Sequence, residues 1–205
     1  MEFQNINNLD EFVQLQSRLL DEEIIDKPSV TIGVIVTQIV RYLSGERRRI
    51  NAATASWDIL SGKEILDIGC GGDGHVDGGF KPWLARILSA KGAKVTGVDI
   101  APQIPEDAGV YEHIKQDIIP IVMEDGLNQL SQLKGREFDV VNAYRFVGYA
   151  TSPTLEKALS NQGYTIDMFT QRLLQQSALL VKEGGLIMFA ENKYRKIGGI
   201  LQVIK

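Results

Sequence analysis

Cysteine is almost missing from this chain, since Cys70 is the only one among its 205 residues. A single cysteine excludes an internal disulfide and suits a reducing, intracellular setting. Histidine is nearly as scarce, with His75 and His113 as the only two. His75 lies in a glycine-rich loop and is therefore a candidate general base, whereas His113 borders a predicted strand and suits a structural role.

Long apolar runs and a large excess of one charge are also absent. The most apolar stretch, 30–43, is interrupted by Thr37, Gln38 and Arg41, so it is too short and too polar to span a bilayer. The N-terminus is acidic and polar, unlike a signal peptide. The net charge of −4 argues against a broad electrostatic hold on nucleic acid. These absences predict a cytoplasmic protein without membrane contact and disfavour nucleic acid as a partner.

The most informative stretch is 64–74, where an apolar strand stops in a glycine-rich loop. A helical pattern follows from Lys81, and a second strand over 93–98 leads into Asp99. Glycine allows a ligand to approach the backbone without a Cβ in the way. A strand, a glycine loop, a helix and a carboxylate at the end of the next strand are typical of a nucleoside-binding half-fold.

Strand and helix patterns alternate from Lys63 onward, which predicts an α/β fold with a Rossmann-like, doubly wound and mainly parallel sheet. The residues before it have helical periodicity, although 30–36 also fits a strand. We therefore expect one domain over 1–205, with a helical cap at 1–62 and a cofactor-binding core at 63–205. The predicted strands are 64–69, 94–99, 112–116, 138–143 and 185–190, and the predicted helices lie near 9–19, 32–43, 46–60, 81–91, 120–134 and 165–182.

The glycine spacing alone leaves two cofactors open. Gly69, Gly71 and Gly74 fit the G-x-G-x-x-G pattern of dinucleotide-binding folds, and Asp99 follows at a suitable distance. Asp67 favours a different cofactor, because its carboxylate would point towards the pyrophosphate of a dinucleotide. A cofactor that carries an amino group and a sulfonium would gain from a carboxylate at that place.

Residues 66–72 and 95–100 resemble the first two motifs of class I S-adenosylmethionine-dependent methyltransferases. The first is an acidic residue followed by x-Gly-x-Gly, and the second is a strand that ends in an acid. The resemblance covers about 63–192 and leaves the helical cap unexplained. It implies S-adenosylmethionine as the cofactor and methyl transfer as the reaction.

The resemblance assigns the methionine half of the cofactor to the glycine loop. Gly69, Gly71 and Gly72 would let the backbone wrap this half, with Cys70 as a small residue inside the turn. Asp67 would orient the amino end of the cofactor, directly or through water.

The nucleoside half falls to the loops after the second and third strands. Asp99 would accept hydrogen bonds from both ribose hydroxyls, and Ile100 would pack against one face of the adenine. Asp117 would accept from the exocyclic amine of the adenine, and Ile118 would donate from its backbone. Each acid also has a plainer alternative, because Asp99 suits a turn before Pro102 and Asp117 suits a helix N-cap.

The acceptor side is poorly specified, and no catalytic residue is assigned beyond the candidates His75 and Tyr144. Asn142, counted among the cofactor-binding residues, and Tyr144 follow the fourth strand, where the family often places groups that face the substrate. This segment lacks the Asn/Asp-Pro-Pro-aromatic motif of enzymes that methylate nucleic-acid bases, so we expect a small-molecule acceptor. Asp73, His75 and Asp77 match no established ligand spacing, and no metal site is predicted.

Two alternatives to an active methyltransferase stay open. One is a catalytically silent partner subunit with the methyltransferase fold, suggested by the sparse acceptor motif and by the few residues after Glu191. These residues leave room for one terminal strand at 200–204, and the N-terminal helices or another subunit could cover the sheet edge. A homo-oligomer or a partner subunit is therefore expected as an option. The other is an NAD(P)-dependent oxidoreductase that uses the same glycines.

Overall fold

The computed structural model describes residues 30–45, 56–73, 81–144, 153–189 and 192–204. These residues form a seven-stranded sheet in the order β3-β2-β1-β4-β5-β6-β7. The strands are β1 (Glu64–Ile68), β2 (Lys94–Asp99), β3 (Glu112–Lys115), β4 (Phe138–Asn142), β5 (Val181–Met188), β6 (Lys193–Ile197) and β7 (Ile200–Ile204).

Helices join most of the strands in the described ranges. The α-helices are α1 (Val30–Leu43), α2 (Trp83–Ala90), α3 (Ile118–Met123), α4 (Pro153–Asn161) and α5 (Ile166–Leu180). Short 3₁₀ turns lie at Trp57–Leu60, Pro105–Asp107 and Leu127–Gln129. No helix in these parts of the chain is both long enough and apolar enough to cross a membrane.

The first five strands are parallel, and β6 and β7 add an antiparallel hairpin at one edge. β1 pairs with both β2 and β4, so the order of the strands reverses beside β1. In open α/β sheets a ligand binds at this reversal, beyond the carboxyl ends of the strands. The predicted α/β, Rossmann-like fold is confirmed.

Each face of the sheet has its own apolar core. On one face α1 and α2 cover β1 and β4, and the buried side chains include Ile35, Ile39, Leu84, Leu88, Ile65 and Val140. On the other face α3 and α5 cover the same strands, and the buried side chains include Val122, Phe169, Leu173, Leu66 and Val141. Residues that alternate along one strand therefore serve opposite cores, as expected of a sheet buried on both faces.

The predicted helix over 120–134 has the wrong bounds, because α3 runs only from Ile118 to Met123. Asp117 caps its N-terminus, and Pro120 is tolerated because it lies in the first turn, where N–H groups have no helical partner. Asp125 then takes a positive φ of 56°, which ends the helical path. The sequence analysis also did not predict α4.

The C-terminal segment contains two strands rather than the single predicted strand at 200–204. β6 and β7 pair over their full lengths, and Gly198 and Gly199 connect them with φ of 60° and 76°. Two positive φ angles in succession describe the tight turn that a Gly-Gly pair favours in hairpins. The Gly-Gly pair between two stretches of alternating hydrophobicity could therefore have predicted this hairpin.

The predicted helical cap falls only partly on described residues. Residues 1–29 and 46–55 lie outside them, and with them the predicted helix at 9–19 and most of that at 46–60. The stretch 30–43 forms α1, which decides against the strand alternative. The division into a cap at 1–62 and a core at 63–205 stays a prediction.

Gln176 on α5 ties the segment after α3 to the rest of the fold. Its Oε1 accepts from the Leu127 backbone N–H at 2.8 Å, and its Nε2 donates to the Val122 carbonyl at 2.6 Å. The side chain is 2% exposed. We expect Gln176→Ala to lower the free energy of unfolding by about 1–3 kcal/mol, because the buried Leu127 N–H loses its partner, whereas the Val122 carbonyl keeps its bond from the Asp125 N–H.

Urea unfolding followed by circular dichroism measures this loss. The matched control is Gln175→Ala, since Gln175 is the exposed neighbour on the same helix. We expect the control to stay within about 0.5 kcal/mol of the wild type. Equal stabilities of the two variants would contradict the structural role of the Gln176 amide.

Candidate functional site

One row of paired residues crosses the sheet near the carboxyl ends of the parallel strands. Gly97 pairs with Asp67, Asp67 with Asn142, Asn142 with Met188, and Met188 with Lys193. Residues paired in this way point to the same face of a sheet. We call these five residues the cross-sheet row. It lies on the face covered by α1 and α2, because the residues two positions earlier in β1, β2 and β4, namely Ile65, Val95 and Val140, belong to that core.

The centre of the row is a buried pair of polar side chains. The Asn142 Nδ2 donates to the Asp67 Oδ1 at 2.7 Å. Asp67 is 3% exposed and Asn142 is 1% exposed. The Asn142 Oδ1 is buried and has no hydrogen-bond partner in the described part of the chain. A buried acceptor without a donor is costly, so this oxygen indicates a place for a donor that the described residues do not supply.

The glycine loop begins directly after β1 and bends over the end of β2. Gly69 and Gly71 have φ of 73° and 92°, a backbone conformation that residues with a Cβ rarely adopt. The Gly69 N–H donates to the Val98 carbonyl at 2.8 Å. The Gly71 N–H donates to the Asp99 Oδ2 at 2.8 Å. The loop therefore needs glycine for its path and an acid at the end of β2 to hold it.

Two other glycines allow close packing rather than an unusual backbone. A Cβ on Gly72 would lie 2.4 Å from the Pro102 carbonyl oxygen, and one on Gly97 would lie 2.6 Å from the Cys70 Sγ. Gly72 thus lets the glycine loop pack against the loop after β2. Gly97 makes room in the cross-sheet row for the Cys70 side chain. The sequence analysis did not single out Gly97.

Asp99 joins the two loops at the end of β2. Its Oδ1 accepts from the Ala101 N–H at 2.9 Å, while its Oδ2 holds Gly71. The turn before Pro102 that was the plain alternative for Asp99 is therefore present. Ile100, the next residue, is 56% exposed, which is unusual for a large apolar side chain beside a buried carboxylate.

Asp117 and Ile118 lie after β3, at the same edge of the sheet. The Asp117 Oδ1 accepts from the Ile119 N–H at 3.1 Å, so the helix-capping alternative is present here as well. Asp117 is exposed and Ile118 is buried. Capping uses one carboxylate oxygen, and a carboxylate can accept several hydrogen bonds.

His113, on β3, holds the loop after β2 by a hydrogen bond. Its Nε2 lies 2.8 Å from the Ala101 carbonyl oxygen, so the Nε2–H donates. The Tyr111 hydroxyl oxygen lies 3.3 Å from the Nδ1 of the same ring, within hydrogen-bond distance. The Cys70 Sγ lies 3.8 Å from the same Nδ1. The structural role predicted for His113 fits these contacts, which bind the glycine loop to β3.

Tyr144, a catalytic candidate, lies just beyond β4 and is half-buried against the core of the α1 face. The Lys193 Nζ lies 5.9 Å from the centre of its ring. His75 and Asp77 lie outside the described residues, as do Gly74 and Arg145. Within the described ranges, no three His, Cys, Asp or Glu side chains are grouped so that they could hold a metal ion.

The carboxyl ends of β1, β2, β3 and β4 therefore gather the described residues that the sequence analysis singled out for a cofactor. Sequence reasoning missed Gly97, which the strand register places beside Asp67 in the cross-sheet row. Gly97 could have been identified from the sequence, because a glycine inside a strand often marks a place where other atoms approach the backbone closely.

No protein-family model matches the chain. Three curated relatives are each named ubiquinone biosynthesis O-methyltransferase. The relative from Bordetella avium (strain 197N) is 24% identical over 193 residues, which cover 91% of this chain and 62% of the relative. That from Nitrosococcus oceani is 25% identical over 184 residues, 90% of this chain and 61% of the relative. That from Coxiella burnetii (strain RSA 493 / Nine Mile phase I) is 25% identical over 131 residues, 64% of this chain and 44% of the relative. The chain thus spans less than two thirds of each relative.

Among solved structures, the chain is similar to the MycE methyltransferase from the mycinamycin biosynthetic pathway in complex with Mg and SAH. The TM-score is 0.41 and the sequence identity is 16%. The match covers 75% of this chain and 35% of that chain.

The environment of Cys70 predicts that its thiol reacts slowly with alkylating reagents. Burial, followed by the charges of Asp67 and Asp99, raises the pKa of the Cys70 thiol well above its ordinary value. Because the thiolate is the reactive form, we expect native Cys70 to react with iodoacetamide at less than about one-tenth of its rate in the urea-unfolded chain. Mass spectrometry over time at about pH 8 measures both rates. Equal rates would contradict the buried placement of the Cys70 side chain within the glycine loop.

Proposed function

We propose that this chain is a class I methyltransferase that transfers the methyl group of S-adenosylmethionine to a small-molecule acceptor. The curated relatives, named as O-methyltransferases, support the family and favour oxygen as the accepting atom. The order of the strands and the glycine loop support the same class.

The observation that carries the proposal is the buried pair Asp67 and Asn142. The unpartnered Asn142 Oδ1 and the buried Asp67 carboxylate lie side by side in the cross-sheet row. Both are acceptors, and a positively charged amino group supplies up to three donors, so the pair fits the amino end of S-adenosylmethionine. The pyrophosphate of a dinucleotide would meet the same oxygens as an anion, which argues against the oxidoreductase alternative.

The contacts at the ends of β2 and β3 fit the nucleoside. Among the described contacts, the Asp99 oxygens accept from the Gly71 and Ala101 N–H groups, and a carboxylate has several acceptor sites, which a ribose hydroxyl would share. Exposed Ile100 offers an apolar surface to the adenine. Asp117 and the Ile118 backbone would bind the edge of the adenine, with the capping bond to Ile119 left in place.

The cofactor supplies a methyl group on a sulfonium, which is a good leaving group. The chain's task is then mainly to bind and orient, an effect of about 7–11 kcal/mol in well-aligned reactions. A general base is needed only where the acceptor loses a proton as it attacks. Tyr144 is the candidate in the described part of the chain, and His75 is the other candidate.

A catalytically silent partner subunit is the second candidate function. It would keep the cofactor-binding pair but would turn over no acceptor, and it would co-purify with another chain. The proposal also includes a single domain over 1–205 and a cytoplasmic location. The single buried cysteine supports the location because it suits a reducing compartment.

Isothermal titration of the purified chain with S-adenosylmethionine, S-adenosylhomocysteine and NADH tests the proposal. We expect micromolar binding of both sulfur compounds and no binding of NADH. Binding of NADH alone would contradict the proposal and favour the oxidoreductase.

Asp99→Asn tests the nucleoside contacts. An amide cannot accept on both sides, so we expect S-adenosylhomocysteine to bind more weakly by about 1–3 kcal/mol, or roughly 5- to 150-fold. The matched control is Asp167→Asn, an exposed residue at the start of α5. The control should bind within about twofold of the wild type. Unchanged affinity of Asp99→Asn would place the ribose elsewhere.

A further inference from the structure

The two edges of the sheet are built differently. β3 forms one edge, and it is short and carries the exposed side chains of Glu112 and Lys115. Short length and charged side chains keep an edge strand from pairing with another chain. β7 forms the other edge, and its residues, Ile200–Ile204, include neither a charge nor a proline. It pairs with β6 in continuous register, without a bulge that would bend its outer side away. Within the described ranges, no strand pairs with this outer side.

Exposed apolar side chains concentrate at the β7 edge. Ile197, Ile200 and Val203 are three of the seven large apolar side chains that are exposed among the described residues. Ile200 is 68% exposed and shares its face with Ile204, which packs against the core under α1. Val203 is 60% exposed and shares its face with Leu201, which packs against the core under α5. Apolar surface therefore borders the open backbone edge on both faces of the sheet.

We infer that β7 pairs antiparallel with the β7 of a second copy of this chain, which joins the two seven-stranded sheets into one. The inference does not depend on the proposed function. A strand added to an edge satisfies the backbone N–H and C=O groups of both strands. Because both copies use the same edge, the contact is isologous and the assembly closes at two chains.

The sequence of β7 complements itself in this arrangement. The register that overlaps all of its residues is centred on Gln202, which then lies opposite Gln202 of the second copy. Ile200 lies opposite Ile204 of the second copy, and Leu201 lies opposite Val203 in the same way. Apolar side chains thus meet apolar side chains on both faces, the kind of cross-strand pair that stabilises a sheet. An uncharged strand offers a charged partner no ion pair, whereas a second copy matches it at each position.

The charges next to the edge are compatible with this pairing. On β6, the Lys196 Nζ donates to the Ala178 and Val181 carbonyls, and the Arg195 Nη2 donates to the Tyr42 carbonyl. These cations are therefore held against the helices on the two faces of the sheet. In the dimer the two β6 strands are three strand spacings apart, about 14 Å, which exceeds the Debye length of about 8 Å at physiological ionic strength.

Sedimentation velocity of the purified chain over about 5–500 μM tests for the dimer. A single strand edge is at the small end of specific interfaces, so we expect a dissociation constant in the micromolar range. We expect Val203→Lys to weaken the dimer at least about tenfold, because its charge would lie opposite Leu201 in both halves of the contact. The matched control is Met168→Lys, the same change at an exposed apolar residue of α5, and it should stay within about twofold of the wild type. A wild type that is monomeric throughout, or a folded Val203→Lys that dimerises like the control, overturns the inference.

Cross-linking tests the register and does not require Val203→Lys to fold. Opposed residues in antiparallel strands have Cα atoms about 4.5–5.5 Å apart, which a disulfide can span. We therefore expect Gln202→Cys to form disulfide dimers in a glutathione redox buffer at least about ten times faster than Val203→Cys, since the two copies of residue 203 lie on a diagonal of about 7–8 Å. Cys70 is buried and is present in both variants, so it adds the same background. Equal rates on non-reducing gels overturn the inference.

Discussion

The parallel pairing of β1 with β2 on one side and β4 on the other is the constraint on which the site depends. This register brings Gly97, Asp67 and Asn142 into one line at the point where the strand order reverses. A shift of one residue would turn Asp67 into the opposite core, because successive side chains of a strand point to opposite faces. Leu66 and Ile68, on the two sides of Asp67, fill one core and Ile65 fills the other, so all three oppose such a shift. The stability of the sheet and the geometry of the site thus have the same origin.

The register also positions the loops that follow β1 and β2, because residues at or near the ends of neighbouring strands hold these loops by hydrogen bonds. Asp99 holds the glycine loop with one carboxylate oxygen and the loop after β2 with the other. His113 binds the carbonyl of Ala101 from β3. These bonds preorganise the backbone, so that less order has to be gained when a ligand binds. Because a carboxylate can accept several hydrogen bonds, a capping or turn role is compatible with the ligand role proposed for the same acid.

Much of the fold and part of the site were predictable from local pattern. The glycine loop, the acids Asp67 and Asp99 and the alternation of strands and helices are sequence signals with a direct physical meaning. The bounds of α3 were not, because a capped first turn and the αL residue Asp125 override the apolar periodicity after Pro120. The contact between Asp67 and Asn142 could not be predicted, since it depends on pairing between strands that are distant in sequence. Local patterns carry no information on such register.

The central claim is that Asp67 and Asn142 bind the amino end of a methyl donor. A crystal structure of the chain with S-adenosylhomocysteine tests it most directly. The account predicts that the amino nitrogen of the ligand lies within hydrogen-bond distance of the Asn142 Oδ1 or of the Asp67 carboxylate, or is joined to Asp67 by one water. A complex in which the amino nitrogen contacts neither residue, and in which the Asn142 Oδ1 still lacks a donor, would contradict it.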